Sequence, residues 1–205
     1  MSESQHGGRN GRLVLFDFDG TITTKDTLFE FTHFVVGERR FLTGMFVLTV
    51  PMGLTRAGIL SAQKAKEMFL SYFFRGMNTD EFKSYCERFA FERIPRMIRP
   101  LASKAIEDYK RSGTRMCIVS ASPEDWIKPW ASSAGIEVIA TRLETKNGQL
   151  TGLIDGRNCN GPEKAERIRK EVSLADYREV IAYGDTKGDL AMLALATTRH
   201  YKPFR

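Results

Sequence analysis

The chain has 205 residues, 42% apolar and 27% charged, with a net charge of +6, which suits one soluble core with a modest insertion. Its basic residues are scattered, the densest runs being Arg39-Arg40 and Arg93/Arg96/Arg99; this argues against nucleic acid as a partner and leaves anionic substrates or lipids. Three cysteines, Cys86, Cys117 and Cys159, without a CxxC pair, exclude a disulfide scaffold and predict a reducing, cytoplasmic setting.

Residues 1–12 read as a flexible tail, polar and Gly-containing at the start and unlike a signal peptide. Leu13-Val14-Leu15-Phe16 is then a buried strand, because a strand covered on both faces shows a near-continuous apolar run. It delivers two carboxylates, Asp17 and Asp19, and the turn Gly20-Thr21. Burying two acids near each other is costly unless something satisfies them. A divalent cation would satisfy the acids, and a phosphate would satisfy both the cation and the free N–H groups of the Gly20-Thr21 turn.

Residues 26–97 follow as a block of helical periodicity, rich in Phe and Met, with no strand signal. Leu28, Phe29, Phe31, Phe34 and Val35 mark the first helix, which Gly37 can end. Residues 41–55 carry no charge and include Pro51; they are too short for a membrane span, which needs about 20 residues. They read as a buried or half-buried helix, or else as a membrane-dipping surface or an apolar substrate wall. Asn78, with Glu81 three residues on, marks another helix start.

The strand rhythm returns after Pro100. A helix from Leu101 ends at Gly113. Met116-Cys117-Ile118-Val119 is a second buried strand ending in Ser120-Ala121-Ser122, and Ser122-Pro123-Glu124-Asp125 reads as a capped helix start. Residues 137–140 make a third strand. Lys146-Asn147-Gly148 turns a hairpin between 141–143 and 150–154. Pro162 opens a helix containing Lys164, Val180-Ile181-Ala182-Tyr183 is the fourth strand, and Gly184-Asp185 follows it. Strands alternating with helices predict an α/β fold, a Rossmann-like parallel sheet with helices on both faces. An all-helical cap (26–97) is inserted into a core of 13–25 and 98–205. In such sheets the site lies at the carboxyl ends of the strands, and three of the four strands end in chemistry: Asp17/Asp19, Ser120 and Asp185.

The chemistry of these residue types suggests roles. Asp17 is the candidate nucleophile for an aspartyl-phosphate. Asp19 suits an acid that protonates the leaving alcohol and then a base for water. Asp17, Asp19 and Asp185 offer hard oxygens for Mg2+, with Asp189 orienting Asp185 or a metal-bound water. Ser120 can donate to a phosphoryl oxygen, and Lys164 can offset the crowded negative charge.

Asp17-Phe18-Asp19-Gly20-Thr21, Val119-Ser120-Ala121-Ser122, Lys164 after Gly161-Pro162-Glu163, and Gly184-Asp185-Thr186-Lys187-Gly188-Asp189, in that order, resemble the haloacid dehalogenase superfamily, most closely its phosphoserine-phosphatase-like branch. The resemblance implies a helical cap after the first motif, one Mg2+, a phosphoaspartyl intermediate on Asp17, and Asp19 as the acid/base whose backbone carbonyl also meets the metal. It also implies that Gly20, Thr21, Ser120 and Ala121 surround the phosphoryl group. Asp26, nine residues after Asp17, holds the spacing of an acid that meets a substrate amine. The cap arginine of that branch has no counterpart here; its place falls near Phe69-Leu70. The uncharged 41–55 run is similar to hydrophobic caps of relatives acting on phosphatidylglycerophosphate. The function expected is phosphomonoester hydrolysis, on a small phosphorylated metabolite such as phosphoserine or on a lipid phosphate. Part of the 41–55 run, which holds Phe46, and of the Phe69, Tyr72, Phe73 and Phe74 cluster is expected to fill the cap's own core and the excess to face the cavity or a membrane, giving a preference for a substrate with an apolar portion. A non-catalytic phospho-receiver and a basic binding module are the alternatives, disfavoured by the large cap and Asp19. Oligomeric state and pathway stay open.

Overall fold

The computed structural model describes residues 11–205, so the tail expected over 1–10 lies outside it. Gly11 and Arg12, grouped with that tail by the sequence, are instead the first residues of strand β1 (Gly11–Phe16).

Five parallel strands and one antiparallel edge strand form the sheet, in the order β4-β3-β2-β1-β5-β6. The others are β2 (Arg115–Pro123), β3 (Glu137–Lys146), β4 (Gln149–Asp155), β5 (Tyr177–Gly184) and β6 (Thr198–Tyr201). β1 is central, paired to β2 on one side and β5 on the other. Alternation along β1 sends Val14 and Phe16 into one apolar layer and Leu13 and Leu15 into the other, so its run is apolar throughout.

Two expectations about the strands need correction. Residues 137–140 and the hairpin arm are one continuous strand, β3, which leaves the parallel sheet and pairs antiparallel with β4. β6 (Thr-Arg-His-Tyr) had no apolar run to mark it; as an edge strand its side chains alternate between half-buried and exposed. A third correction concerns Ser122. Helix α7 (Glu124–Ala134) starts with Pro123 at its cap position and no side-chain cap, and the Ser122 hydroxyl instead accepts from Thr27 Oγ1 at 3.4 Å.

The block after the first motif forms α1 (Thr27–Val36), α2 (Glu38–Val47), α3 (Thr49–Arg56), α4 (Ala62–Phe74) and α5 (Thr79–Glu92). Asn78 caps α5 through the amides of Asp80 and Glu81, as its position predicts. Gly37 ends α1 with φ +77. α6 (Pro100–Arg111) then leads back to the sheet, and α8 (Pro162–Glu171) and α9 (Leu190–Leu193) cover its other face.

The cap helices and one sheet face share an apolar layer. Phe31 stacks on Trp126 with ring centroids 4.5 Å apart, and Phe73, Phe74, Phe82 and Phe89 are buried around it. Gly44 lets α2 approach α4 closely; a Cβ there would run into the Phe73 ring. The 41–55 run is two helices broken at Leu48, not one, with Pro51 tolerated in the first turn of α3. Gly44 and Leu48 point inward, whereas Leu42, Phe46, Val47 and Val50 are exposed. Phe69, Phe73 and Phe74 fill the cap interior.

Candidate active site

The site is built where β1 stops. The Asp17 amide still donates to Tyr183 O at 2.8 Å, extending the β1–β5 ladder by one residue. The chain then makes a wide turn over Phe18–Ile22, in which Gly20 adopts φ +80, a conformation that costs an L side chain about 1–2 kcal/mol. A Cβ on Gly20 would also lie 2.7 Å from Asp185 Oδ2. Arg99, at the start of α6, fastens this turn by donating to the carbonyls of Gly20 and Thr23, both at 3.2 Å.

The turn folds Thr21 back so that its hydroxyl donates to Asp17 Oδ2 at 2.9 Å. From α8, Lys164 Nζ donates to Asp17 Oδ1 at 2.6 Å and to Asp189 Oδ1 at 2.7 Å. Asp189 Oδ2 accepts from the amides of Asp185 and Thr186 and from the Thr186 hydroxyl. Arg205 reaches Asp185 Oδ2 at 2.8 Å from the solvent side. Asp17, Lys164 and Asp189 are buried.

Three carboxylates, Asp17, Asp185 and Asp189, have oxygens within 4.8 Å of one another. Asp189, expected to support the metal ligands, therefore joins the cluster itself. The Asp19 side chain does not; its Oδ1 accepts the Thr27 amide at 2.7 Å, at the first turn of α1, where unpaired N–H groups and the helix dipole favour an anion. Asp26 caps the same helix through Leu28 N at 2.9 Å.

Charge is out of balance at the cluster. Burial, helped by the nearby charges of Asp189 and Asp19 and only partly countered by Lys164, pushes the Asp17 carboxyl up to about 7. Burial also works against the charges on Lys164 and Asp189, but the attraction of Asp17 and Asp189 for Lys164, and of Lys164 for Asp189, outweighs it. The Lys164 ammonium is held above the ordinary lysine range and the Asp189 carboxyl below the ordinary carboxylate range. Lys164 pairs with Asp17 and Asp189, and Arg205 with Asp185, so two cations meet three carboxylates and the deficit rests on Asp17. Clustered hard oxygens short of positive charge fit a cation such as Mg2+.

A cavity of about 180 Å³ opens beside the cluster, lined by Asp17, Asp19, Asp26, Leu28, Lys66, Ala121, Ser122, Asn160, Lys164, Thr186 and Asp189. Ser120 is fully buried behind this lining, its Oγ accepting the Ser122 amide at 3.0 Å. Gly20, Thr21 and the cluster member Asp185 do not line the cavity. The apolar wall expected from the cap is absent from it: Phe46, Phe69, Tyr72, Phe73 and Phe74 all lie elsewhere.

Sequence reasoning missed Lys66. Half-buried on α4, one turn before Phe69-Leu70, it donates to Ala121 O at 2.9 Å and Asn158 Oδ1 at 3.0 Å, and burial lowers its ammonium below the ordinary range. The segment that lacks the arginine of the resembled branch thus brings a lysine to the cavity instead. Nothing in the Gln63–Glu67 stretch separated it from a solvated lysine; only its placement does. Thr186, between Asp185 and Asp189, was legible from its motif.

A model of the haloacid dehalogenase-like hydrolase family matches residues 14–194. The chain belongs to that family. It is 36% identical over 200 residues to protein CicA of Caulobacter vibrioides, spanning 97% of this chain and 89% of that one. Its fold matches a protein of unknown function from Bordetella pertussis Tohama I with a TM-score of 0.80 at 24% identity, over 92% of this chain and 88% of that one. It also matches a phospho-aspartyl intermediate analogue of phosphoserine phosphatase, TM-score 0.64 at 21% identity, over 92% and 85% of the two chains. The fold is thus shared with phosphoserine phosphatases, and a phosphoserine phosphatase of Methanocaldococcus jannaschii is 21% identical over 193 residues, 90% of this chain and 82% of that one.

Proposed function

We propose that the protein hydrolyses phosphomonoesters through an aspartyl-phosphate on Asp17. The observation that carries the reading is the pairing of Asp17 with Lys164, at 2.6 Å, at the end of a buried strand beside two further carboxylates. A carboxylate oxygen of Asp17 attacks phosphorus while the ester oxygen leaves and takes a proton from Asp19. Asp19 then accepts a proton from water as that water attacks the phosphoaspartate, releasing inorganic phosphate and restoring Asp17. Thr21 and Lys164 fix the Asp17 carboxylate on both oxygens. The Thr27 amide holds Asp19 by one oxygen, leaving the other for the proton. Lys164 offsets charge gathering on the phosphoryl group, and the buried Ser120 hydroxyl, by supporting the Ser122 amide, shapes the loop that faces it. Mg2+ would be held by Asp17, Asp185 and the Asp19 carbonyl, with Asp189 beside them, and would neutralise phosphoryl oxygens when bound.

The cavity wall supports a small polar substrate over one with an apolar portion. Leu28 and Ala121 are the only hydrocarbon side chains among its lining residues. Asp26 and Lys66 put an acid and a cation in its lining, which suits phosphoserine-like substrates carrying both charges; this second reading rests on Lys66. Three buried, unpaired cysteines support a reducing, cytoplasmic setting.

The test is Asp17→Asn with an aryl phosphate and Mg2+. Turnover and a hydroxylamine-labile phosphoprotein are expected in the wild type and absent in the variant. Activity within about tenfold of wild type, roughly 1.4 kcal/mol in barrier, would remove Asp17 from the nucleophile role.

A further inference from the structure

The outer face of α2 and α3 is unlike the rest of the surface. Among the described residues, six of the thirteen exposed large apolar side chains fall within residues 42–59. Phe46 is 83% exposed, Val50 69% and Ile59 73%. Leu42 and Phe46 are four apart on α2, and Val50 and Leu54 four apart on α3, so each pair stacks on one face of its helix. None of them lines the active-site cavity. The exposed charge at the start of this face is mainly basic: Arg39 and Arg40 follow Glu38, and residues 39–63 contain no acidic residue. Arg39 and Arg40 are exposed at the start of α2, one turn from Leu42. No helix among the described residues is long and apolar enough to cross a membrane.

We infer that α2 and α3 form a docking surface for an anionic lipid bilayer, with Leu42, Phe46, Val50 and Leu54 dipping into the interface and Arg39 and Arg40 meeting acidic head groups. Outward-pointing side chains on two short helices suit a fluid interface, into which an amphipathic helix with a basic rim settles without spanning it. A second copy of the chain is disfavoured as the occupant because it would bring the exposed Arg39 and Arg40 of both chains to one contact. The inference is independent of the catalytic reading.

Vesicle flotation of the full chain tests it. The protein is expected to float with vesicles of mixed phosphatidylcholine and phosphatidylglycerol, to stay behind with phosphatidylcholine alone, and to be released by rising salt. Phe46→Ser combined with Val50→Ser should lower the partition coefficient on the order of tenfold or more. Arg39→Ala should lower it about fivefold. Both proteins should keep wild-type turnover of a soluble aryl phosphate, which separates lost docking from lost folding or chemistry. Failure of the wild type to float would overturn the inference, as would equal flotation of the double variant. A dimer in sedimentation velocity that the double variant abolishes, without vesicle binding, would assign the face to a second copy instead.

Discussion

The acid cluster beneath the cavity and the outer face of α2–α3 break the ordinary partition of side chains in opposite directions. At the cluster, charges are buried; on the helices, large apolar groups stand in water. The cluster is nearly closed on itself. Lys164 bridges Asp17 and Asp189, Asp189 is held by three donors from the 185–186 segment, and Thr21 returns to Asp17. What it lacks is positive charge, and that lack is specific enough to suggest a cation. The helix face makes no such bonds outward and suggests only a class of environment. A buried violation is over-determined by its neighbours, so its chemistry can be read residue by residue. An exposed violation shows its meaning only through pattern and charge. The two regions should therefore respond to substitution in separable ways.

After the loss of turnover expected of Asp17→Asn, the largest effect is expected at Asp19. Asp19→Asn should preserve the bond to the Thr27 amide through its side-chain oxygen but lose proton transfer, lowering turnover on the order of 10²–10⁴-fold. Alkyl phosphates should suffer more than aryl phosphates, whose leaving groups need less help from an acid. Single-turnover kinetics on both ester types measure this; an equal loss at the phosphorylation step would take the acid role from Asp19. Flotation with anionic vesicles should not change.

Next comes Lys164→Met. It leaves Asp17 and Asp189 buried without their shared cation, and breaking a buried ion pair from one side costs about 3–5 kcal/mol. Urea unfolding in EDTA should show that loss. A loss under about 1 kcal/mol, within the range of a surface pair, would mean that water already neutralises the cluster.

The charge deficit predicts a pH signature. Asp17 has a carboxyl near 7 in the metal-free fold against 3.8 in an open chain. Between those values the fold holds a proton that the unfolded chain has released, so this group's contribution to stability falls as pH rises from about 4 to 7 and is level above. Asp17→Asn removes that penalty. In EDTA, the stability of the variant relative to wild type should rise across this window, on the order of 2–4 kcal/mol. A flat difference would show that Lys164 already balances Asp17. Mg2+ should remove the slope in the wild type by taking the place of the proton.

The site was legible in the sequence because its members end buried strands or sit in short contiguous motifs: Asp17 and Asp19 just after β1, Ser120 on β2, Asp185 and Asp189 after β5. Lys66 was not, because its importance depends on how α4 lies over the Ala121–Ser122 loop, and no local pattern encodes that. β6 was hidden for a different reason: an edge strand with polar residues lacks the apolar run that marked the others. The 41–55 stretch was legible as apolar but not as outward-facing. Its period fits a buried and an exposed stripe equally until Gly44 and Phe73 fix which side packs inward.

The smallest expected effect sharpens that last point. Phe46 and Phe31 are the same residue on neighbouring cap helices. Phe31 is fully buried, stacked on Trp126 and edge-on to Phe82 and Phe89. Its truncation to Ala should remove transfer energy and leave a cavity, about 3–5 kcal/mol. Phe46 is almost wholly in water, so truncation has little burial to undo and no cavity to leave. Phe46→Ser should change stability by no more than about 0.5 kcal/mol, the range of ordinary surface substitutions. Urea unfolding of both variants in the same buffer makes the comparison direct. A loss above about 1 kcal/mol for Phe46→Ser would mean that the ring is covered in solution, by a second copy or by rearranged cap helices. The outer face would then be part of the fold rather than a surface kept open for a bilayer.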